Sequence, residues 1–403
     1  MSSPTAIAEP QPAALPATMT AAVLYGREDV RIEQVPVPRA GQGELIVRVA
    51  AALTCGTDLK VFRRGYHALM IQPPALFGHE LAGVVAEVGE GVAQFAVGDR
   101  VVPINSAPCG QCYFCRRDQE NLCEDLLFNN GAYAEYMRIP ARIVAKNTLE
   151  VPAHLPLESA ALTEPLACAL HGFEDSLARK GDSVVVIGGG PLGLMMMHVA
   201  ALSGCEVIAV VKHEGQAETA RALGVAHVVR VESANGAGNA ADNAEEIAVG
   251  SESGDAVEQV RALTGGRGAD IAIEAVALPE TWEQAVAMVR NGGLVNFFGG
   301  PESGTSVRLD TNRIHYGDIT MKATFHHTPA ICRRAFALLA SGRFHAELFI
   351  TGHAQLGELK QAFADLLNRA GGGSRVKTAI LPHSEPLLAA LPVSAGEPTR
   401  ALR

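Results

Sequence analysis

The chain has 403 residues, more than one hydrophobic core usually supports, and its 48% hydrophobic and 19% charged composition is that of a globular protein with two domains. With 43 acidic against 33 basic residues its net charge is -10, and no cluster of Lys and Arg marks a face for nucleic acid or anionic lipid. No apolar run reaches the about 20 residues that span a bilayer, so no membrane partner is expected.

The first 18 residues, MSSPTAIAEPQPAALPAT, lack a basic region and a continuous apolar segment. They read as a disordered Ala/Pro arm rather than a signal peptide, which points to a soluble, cytoplasmic protein. From 19 to 165 the pattern is short and strand-like: AAVLYG, VRIEQV, ELIVRVAAAL, LAGVVAEVG, DRVVPI and AEYMRIPA, each ended by Gly, Pro, Asn or charge. This predicts a mostly β domain. From 166 to 300 strands alternate with helices, as in SVVVIGGGPLGLMMMHVAALSG, EVIAVV, ADIAIEAV and LVNFFGG. That alternation predicts an α/β, doubly wound parallel sheet. Within it, 232–252 carries Ala, Gly, Asn and acids without an apolar face and is expected to be a mobile loop. Residues 301–380 are expected to return to the first domain and end in a helix, a glycine stop and a strand, with 381–403 as a tail.

Eight cysteines in a large chain without a secretion signal do not suggest a disulfide framework. Four are bunched, Cys109, Cys112, Cys115 and Cys123, with C-x2-C-x2-C-x7-C spacing in a polar loop. Four thiolates so spaced can close around one tetrahedral zinc with no position left for substrate, a structural clip. An iron-sulfur cluster also takes four thiolates, so spacing alone does not name the metal. Arg116 and Arg117 would partly balance the negative charge of such a site.

The second strong signal is VVVIGGGPLG. Gly188, Gly190 and Gly193 form G-x-G-x-x-G, with Pro191 and Leu192 between the last two, where an apolar strand meets a helical run. The first glycine suits the tight turn, the second the approach of a pyrophosphate, and the third close packing of helix on strand, with free N–H groups facing the phosphates. NAD sites usually carry an acid about 20 residues on; here EVIAVVKHEG puts Val211, Lys212 and His213 there, and Glu214 comes late. Lys212 beside a missing acid tilts the choice slightly toward a 2'-phosphate, hence NADP. The bland alternative is a solvated lysine with Glu214 on the ribose.

Cys55 opens CGTDLK, His79 and Glu80 lie in FGHELAG, and Glu164 and His171 lie in TEPLACALHG. One thiolate, one imidazole and one or two carboxylates make a mixed set of the kind that leaves a metal open to substrate. Each alone also has an ordinary structural reading, and sequence does not show whether they meet. In FHHTP, adjacent His326 and His327 would point to opposite faces of a strand, so a loop or interface role is expected there rather than a second metal site.

CGTD, GHELAGVV, PCGQCYFC, TEPLACALHG and GGGPLGL stand in the order found in zinc-dependent medium-chain alcohol dehydrogenases, and the chain resembles their polyol branch, which includes sorbitol (iditol) and threonine dehydrogenases. The resemblance covers about 19–380. It implies a GroES-like catalytic domain, a Rossmann domain, catalytic and structural zinc, NAD(P), a small-molecule alcohol substrate and a homodimer or homotetramer. Matched by position, Cys55, His79, Glu80 and Glu164 fall at catalytic-zinc positions and Thr57 at the hydroxyl that takes the substrate proton. Many relatives have histidine five positions after the cysteine; this chain has Lys60, so Lys60, water or the Glu80 and Glu164 side completes the proton path. Two rival readings are a zinc-free enone reductase that uses NADPH and a non-enzymatic zinc- or dinucleotide-binding protein.

Overall fold

A computed structural model describes residues 14–67, 69–231, 256–368 and 375–383. The segment expected as a mobile loop, 232–252, lies outside the described residues, as do most of the Ala/Pro arm and the tail beyond His383.

The alternating apolar segments of the first part form strands that pair antiparallel. Leu45–Leu53, with eight of its nine residues buried, is the centre of a seven-stranded sheet. It pairs antiparallel with Glu80–Val88 on one edge, in register Leu53 to Glu80, and with Tyr136–Ile139 over Leu45 to Arg48. Lys377–Leu381 comes back from the far end of the chain to pair with the same strand through Ala379 to Leu53. This return decides the site: it lays Lys377 beside Glu80. A separate three-stranded sheet is built on Thr18–Gly26 and Asp29–Pro36.

The second sheet is wholly parallel, with six strands in spatial order His227–Arg230, Glu206–Val211, Ser183–Ile187, Ala269–Glu274, Val289–Phe297 and Thr320–Ala323. Numbered along the chain this is 3-2-1-4-5-6, the doubly wound dinucleotide-binding order, as expected for the α/β part. Ser183–Ile187 is buried at all five residues, as a central parallel strand covered on both faces must be. The sheet corrects one expected boundary. Its sixth strand, Thr320–Ala323, lies beyond residue 300, so the chain leaves this sheet about twenty residues later than expected; it is an exposed edge strand with no apolar run to announce it. The tail expected from 381 also starts too early. Leu381 belongs to the last strand, and His383, 5% exposed, lies 3.1 Å from the Glu135 carbonyl.

Helix Thr163–Asp175 sits where the two sheets meet and is buried at ten of its thirteen positions. It shares one hydrophobic cluster with Leu53, Ala82 and Val102 of the first sheet, with Val184 and Val186 of the second, and with Leu194 of the helix Pro191–Leu202. Near its start it carries Glu164.

Candidate active site

Cys55 stands two residues past the end of the central strand and caps the helix Gly56–Arg64. Its extended backbone, φ -121 and ψ 147, turns the sulfur back over the helix start, where it accepts from the Thr57 N–H at 3.4 Å. A thiolate at a helix N-terminus is favoured by the unpaired N–H groups. Burial and the Glu80 carboxylate work against it and raise the Cys55 pKa above its ordinary value, while His79 pulls the other way. The antiparallel register then brings His79 and Glu80 alongside, so that ligand atoms of Cys55, His79 and Glu80 all lie within 4.8 Å of one another.

Each member has a built partner. His79 Nδ1 lies 2.9 Å from Asp58 Oδ1, with both side chains under 5% exposed. That contact places the proton on Nδ1 and leaves Nε2 for a ligand, the usual support of a metal-bound imidazole. Asp58 Oδ2 in turn accepts from Tyr133 Oη at 2.6 Å. Burial alone would lower the His79 pKa; Asp58 and Cys55 outweigh it and hold it well above the ordinary value. Lys377 Nζ donates to both Glu80 oxygens, at 2.8 and 2.6 Å, and to the Thr54 carbonyl at 3.0 Å. Burial pushes the Glu80 carboxyl up to about 7 and Lys377 opposes that. With the ammonium touching both oxygens, we read the pair as charged.

Glu164 does not join the Cys55, His79 and Glu80 group within the same reach. Its closest partners form an adjoining cluster with Cys168, His326 and His327, again within 4.8 Å. Glu164 Oε1 is 3.5 Å from His327 Nε2 and 3.8 Å from Cys168 Sγ. The expectation for His326 and His327 is corrected in part. They do lie in a loop, but its backbone is not extended: His326 has φ +62, and the two rings pack together, tilted by 32° with centroids 3.8 Å apart, beside Glu164. Thr57 is half-buried next to Cys55 and Lys60, one turn on, is exposed; neither is among the residues that line the adjacent cavity.

That cavity connects the two sheets. Thr54, Cys55 and Gly56 form one wall, Gly188, Gly189, Gly190 and Pro191 another, and Val211, Lys212 and Gln216 a third. The glycine turn is as tight as its spacing implies. Gly188 has φ +117, and a Cβ on Gly193 would stand 2.0 Å from the Gly188 carbonyl oxygen. Glu214 does not face the cavity; it is engaged by Arg221 at 3.0 Å and Arg230 at 3.7 Å.

The four bunched cysteines converge in a lobe between the paired strands Ser106–Ala107 and Leu127–Phe128. Their sulfurs stand 3.9 Å (Cys109 to Cys115), 3.5 Å (Cys112 to Cys115) and 3.9 Å (Cys112 to Cys123) apart. Four sulfurs 2.3 Å from a tetrahedral ion would be about 3.8 Å apart. The lobe therefore fits a single ion and is too tight for a cluster of several irons. Backbone N–H groups of Cys109, Gly110, Gln111 and Cys112 point at these sulfurs. N–H groups of Cys115 and Glu124 hold Cys112 down at about 6, while burial pushes Cys123 up to about 12. A cation replacing the protons would remove that conflict.

Sequence reasoning misses Asp58, Tyr133 and Lys377 altogether and gives His327 only a loop or interface role. Asp58 has a local signal, three residues after Cys55 in one helical turn; the others meet the site only through pairing of distant segments.

Residues 41–152 match the family model described as alcohol dehydrogenase GroES-like domain, and residues 191–341 match the one described as zinc-binding dehydrogenase. The L-threonine 3-dehydrogenase of Pyrococcus abyssi is 34% identical over 87% of this chain and 94% of its own length. The sorbitol dehydrogenase of Bacillus subtilis is 29% identical over 86% of this chain and 93% of its own. Among solved structures, a zinc-binding dehydrogenase from Sinorhizobium meliloti, bound to NADP, superposes with a TM-score of 0.79 at 28% identity, covering 91% of this chain and all of that one. A mostly β GroES-like part, a doubly wound nucleotide-binding sheet, a four-cysteine lobe and a mixed Cys55, His79 and Glu80 group all agree with one assignment: the chain belongs to the zinc-binding alcohol dehydrogenase family.

Proposed function

We propose that the chain exchanges a hydride between a secondary alcohol, of the polyol, sugar-alcohol or hydroxy-amino-acid kind, and a nicotinamide dinucleotide. The observation that carries this is the shared cavity: Cys55, one of three clustered metal-type donors, lines the same space as the glycine turn. Cys55, His79 and Glu80 would hold the catalytic zinc, with Glu164 the further carboxylate, and Cys109, Cys112, Cys115 and Cys123 a structural zinc. A bound zinc supplies Lewis acidity that lowers the pKa of a hydroxyl, and the nicotinamide supplies the hydride acceptor.

The chain's own residues do the rest. Asp58 fixes the His79 tautomer, and Lys377 balances the buried Glu80 charge. Thr57, half-buried beside Cys55, takes the substrate proton at Oγ1 and passes it outward. Lys60, exposed one turn further along, is the solvent end of that path or is replaced there by water. The backbone from Gly188 to Gly193 seats the pyrophosphate, with Pro191 and Leu192 starting the helix behind it. Lys212 on the cavity wall, with Glu214 turned to two arginines, favours the 2'-phosphate of NADP. Holding the carbinol carbon against the ring and excluding water is the protein's contribution to rate.

Exposed Met321 on the edge strand Thr320–Ala323, with exposed Tyr316 and Phe325 on either side of it, supports a homodimer or homotetramer. Eight cysteines, none in a disulfide, support a reducing, cytoplasmic location. Cys55→Ser tests the central assignment: turnover should vanish while cofactor affinity survives. Near-native rates in that variant would remove the catalytic-zinc reading.

A further inference from the structure

We propose that His327 is the positioning residue for Glu164, and through it sets how tightly the Cys55, His79 and Glu80 group holds its metal. This rests on the metal reading above. His327 is 2% exposed and touches three polar partners, each from a different segment. Nε2 lies 3.5 Å from Glu164 Oε1 and 3.2 Å from Asn105 Oδ1; Nδ1 lies 3.3 Å from Cys332 Sγ. Both groups facing Nε2 are acceptors, so Nε2 carries a proton and donates it. Glu164, 7% exposed on a helix packed between the two sheets, has this imidazole as its nearest charged partner among the described residues.

The loop that presents His327 is held from several sides. His326 sits in the left-handed region, φ +62, a conformation that non-glycine residues seldom adopt without support. Here the support is explicit. His171 Nδ1 donates to the His326 carbonyl at 2.8 Å, and His326 Nε2 lies 2.7 Å from Ser106 Oγ. Asn121, between Cys115 and Cys123 in the cysteine lobe, donates from Nδ2 to the Phe325 carbonyl at 3.0 Å. The turn is what lets the rings of two consecutive histidines pack together instead of diverging, leaving His327 aimed at Glu164. A strained turn pinned by the lobe, by helix Thr163–Asp175 and by the Asn105 and Ser106 side chains costs stability and is retained where its side chains serve a site.

Removing a hydrogen-bonded outer partner of a metal site typically weakens metal affinity by about 10- to 100-fold. The test compares wild type, His327→Ala and His327→Gln, whose side-chain amide keeps one donor, and uses metal binding rather than turnover. Zinc per chain is followed during competition with a chelator, and the visible spectrum is recorded after cobalt replaces zinc. Wild type should hold two ions, and Cys55→Ser should lose one of them. His327→Ala should release that same ion about 10- to 100-fold more readily, leave the lobe ion at wild-type affinity and shift the cobalt bands. His327→Gln should recover much of the difference. If His327→Ala misfolds, Cys332→Ala, which frees only the Nδ1 side, should show a smaller shift in the same direction. Wild-type affinity and an unchanged cobalt spectrum in folded His327→Ala would overturn the positioning role alone. No loss of an ion from Cys55→Ser would overturn the metal reading, and this inference with it.

Discussion

The glycine turn makes two demands that separate substitutions can distinguish. At Gly193 an added Cβ would stand 2.0 Å from the Gly188 carbonyl oxygen and 3.0 Å from its carbon, a clash with backbone that no rotamer relieves. Relief requires the helix Pro191–Leu202 to move by more than 1 Å, roughly, from the strand Ser183–Ile187, and overpacking of this kind costs about 1–3 kcal/mol. At Gly190 the same added atom meets nothing within 4 Å, and φ -75 with ψ 173 is open to alanine. Gly190→Ala should therefore leave stability within about 0.5 kcal/mol of wild type. The space it fills is where the pyrophosphate approaches the backbone, so cofactor affinity should fall by at least about tenfold, or ~1.4 kcal/mol. Denaturant unfolding followed by circular dichroism reads the first quantity, and titration of reduced cofactor by fluorescence reads the second. Wild-type cofactor affinity in Gly190→Ala would refute the placement of the phosphates on this turn. A neutral Gly193→Ala would refute the packing argument.

Three further outcomes follow from other parts of the molecule. Cys112→Ser should lose one zinc per chain and lower the melting temperature; unchanged zinc content would remove the lobe from the metal sites. Lys212→Ala should weaken NADPH about tenfold (~1.4 kcal/mol) with NADH little affected, and an equal loss for both would end the NADP reading. Asp270 accepts from the Ser183 N–H and Oγ at 2.8 and 2.6 Å and pairs with Arg290 at 2.6 Å. Burial opposes its ionisation, but Ser183 and Arg290 outweigh that and hold its pKa below the usual value. Its contribution is thus present above the ordinary carboxyl range and is lost as pH falls through the folded pKa. Asp270→Asn should cost about 1–3 kcal/mol at pH 7, with the two melting curves converging on acidification; a gap that persists at low pH would assign the effect to packing.

What was legible in the sequence was what lies close along the chain. The cysteine lobe and the glycine turn each occupy fewer than twenty consecutive residues, and their spacing alone specifies their geometry. Cys55, His79 and Glu80 became a group only through the antiparallel register that sets Leu53 opposite Glu80. Lys377, 297 residues from Glu80, carries no local mark at all; it reads as an ordinary strand lysine until the last strand lands on the first sheet. Tyr133 is likewise 75 residues from Asp58. The strand Thr320–Ala323 was missed because an exposed edge lacks the apolar run that marks inner parallel strands. His326 and His327 were read with strand geometry, and one positive φ reverses the conclusion.

The most direct test of the whole account is nicotinamide reduction, followed by absorbance, with a panel of polyols, sugar alcohols and hydroxy amino acids, each offered NAD and NADP, before and after the metal is chelated. The account predicts turnover of at least one member that is lost on chelation and restored by zinc. Turnover that survives complete removal of zinc, or none across the panel in zinc-replete protein that also fails to bind reduced cofactor, would contradict it.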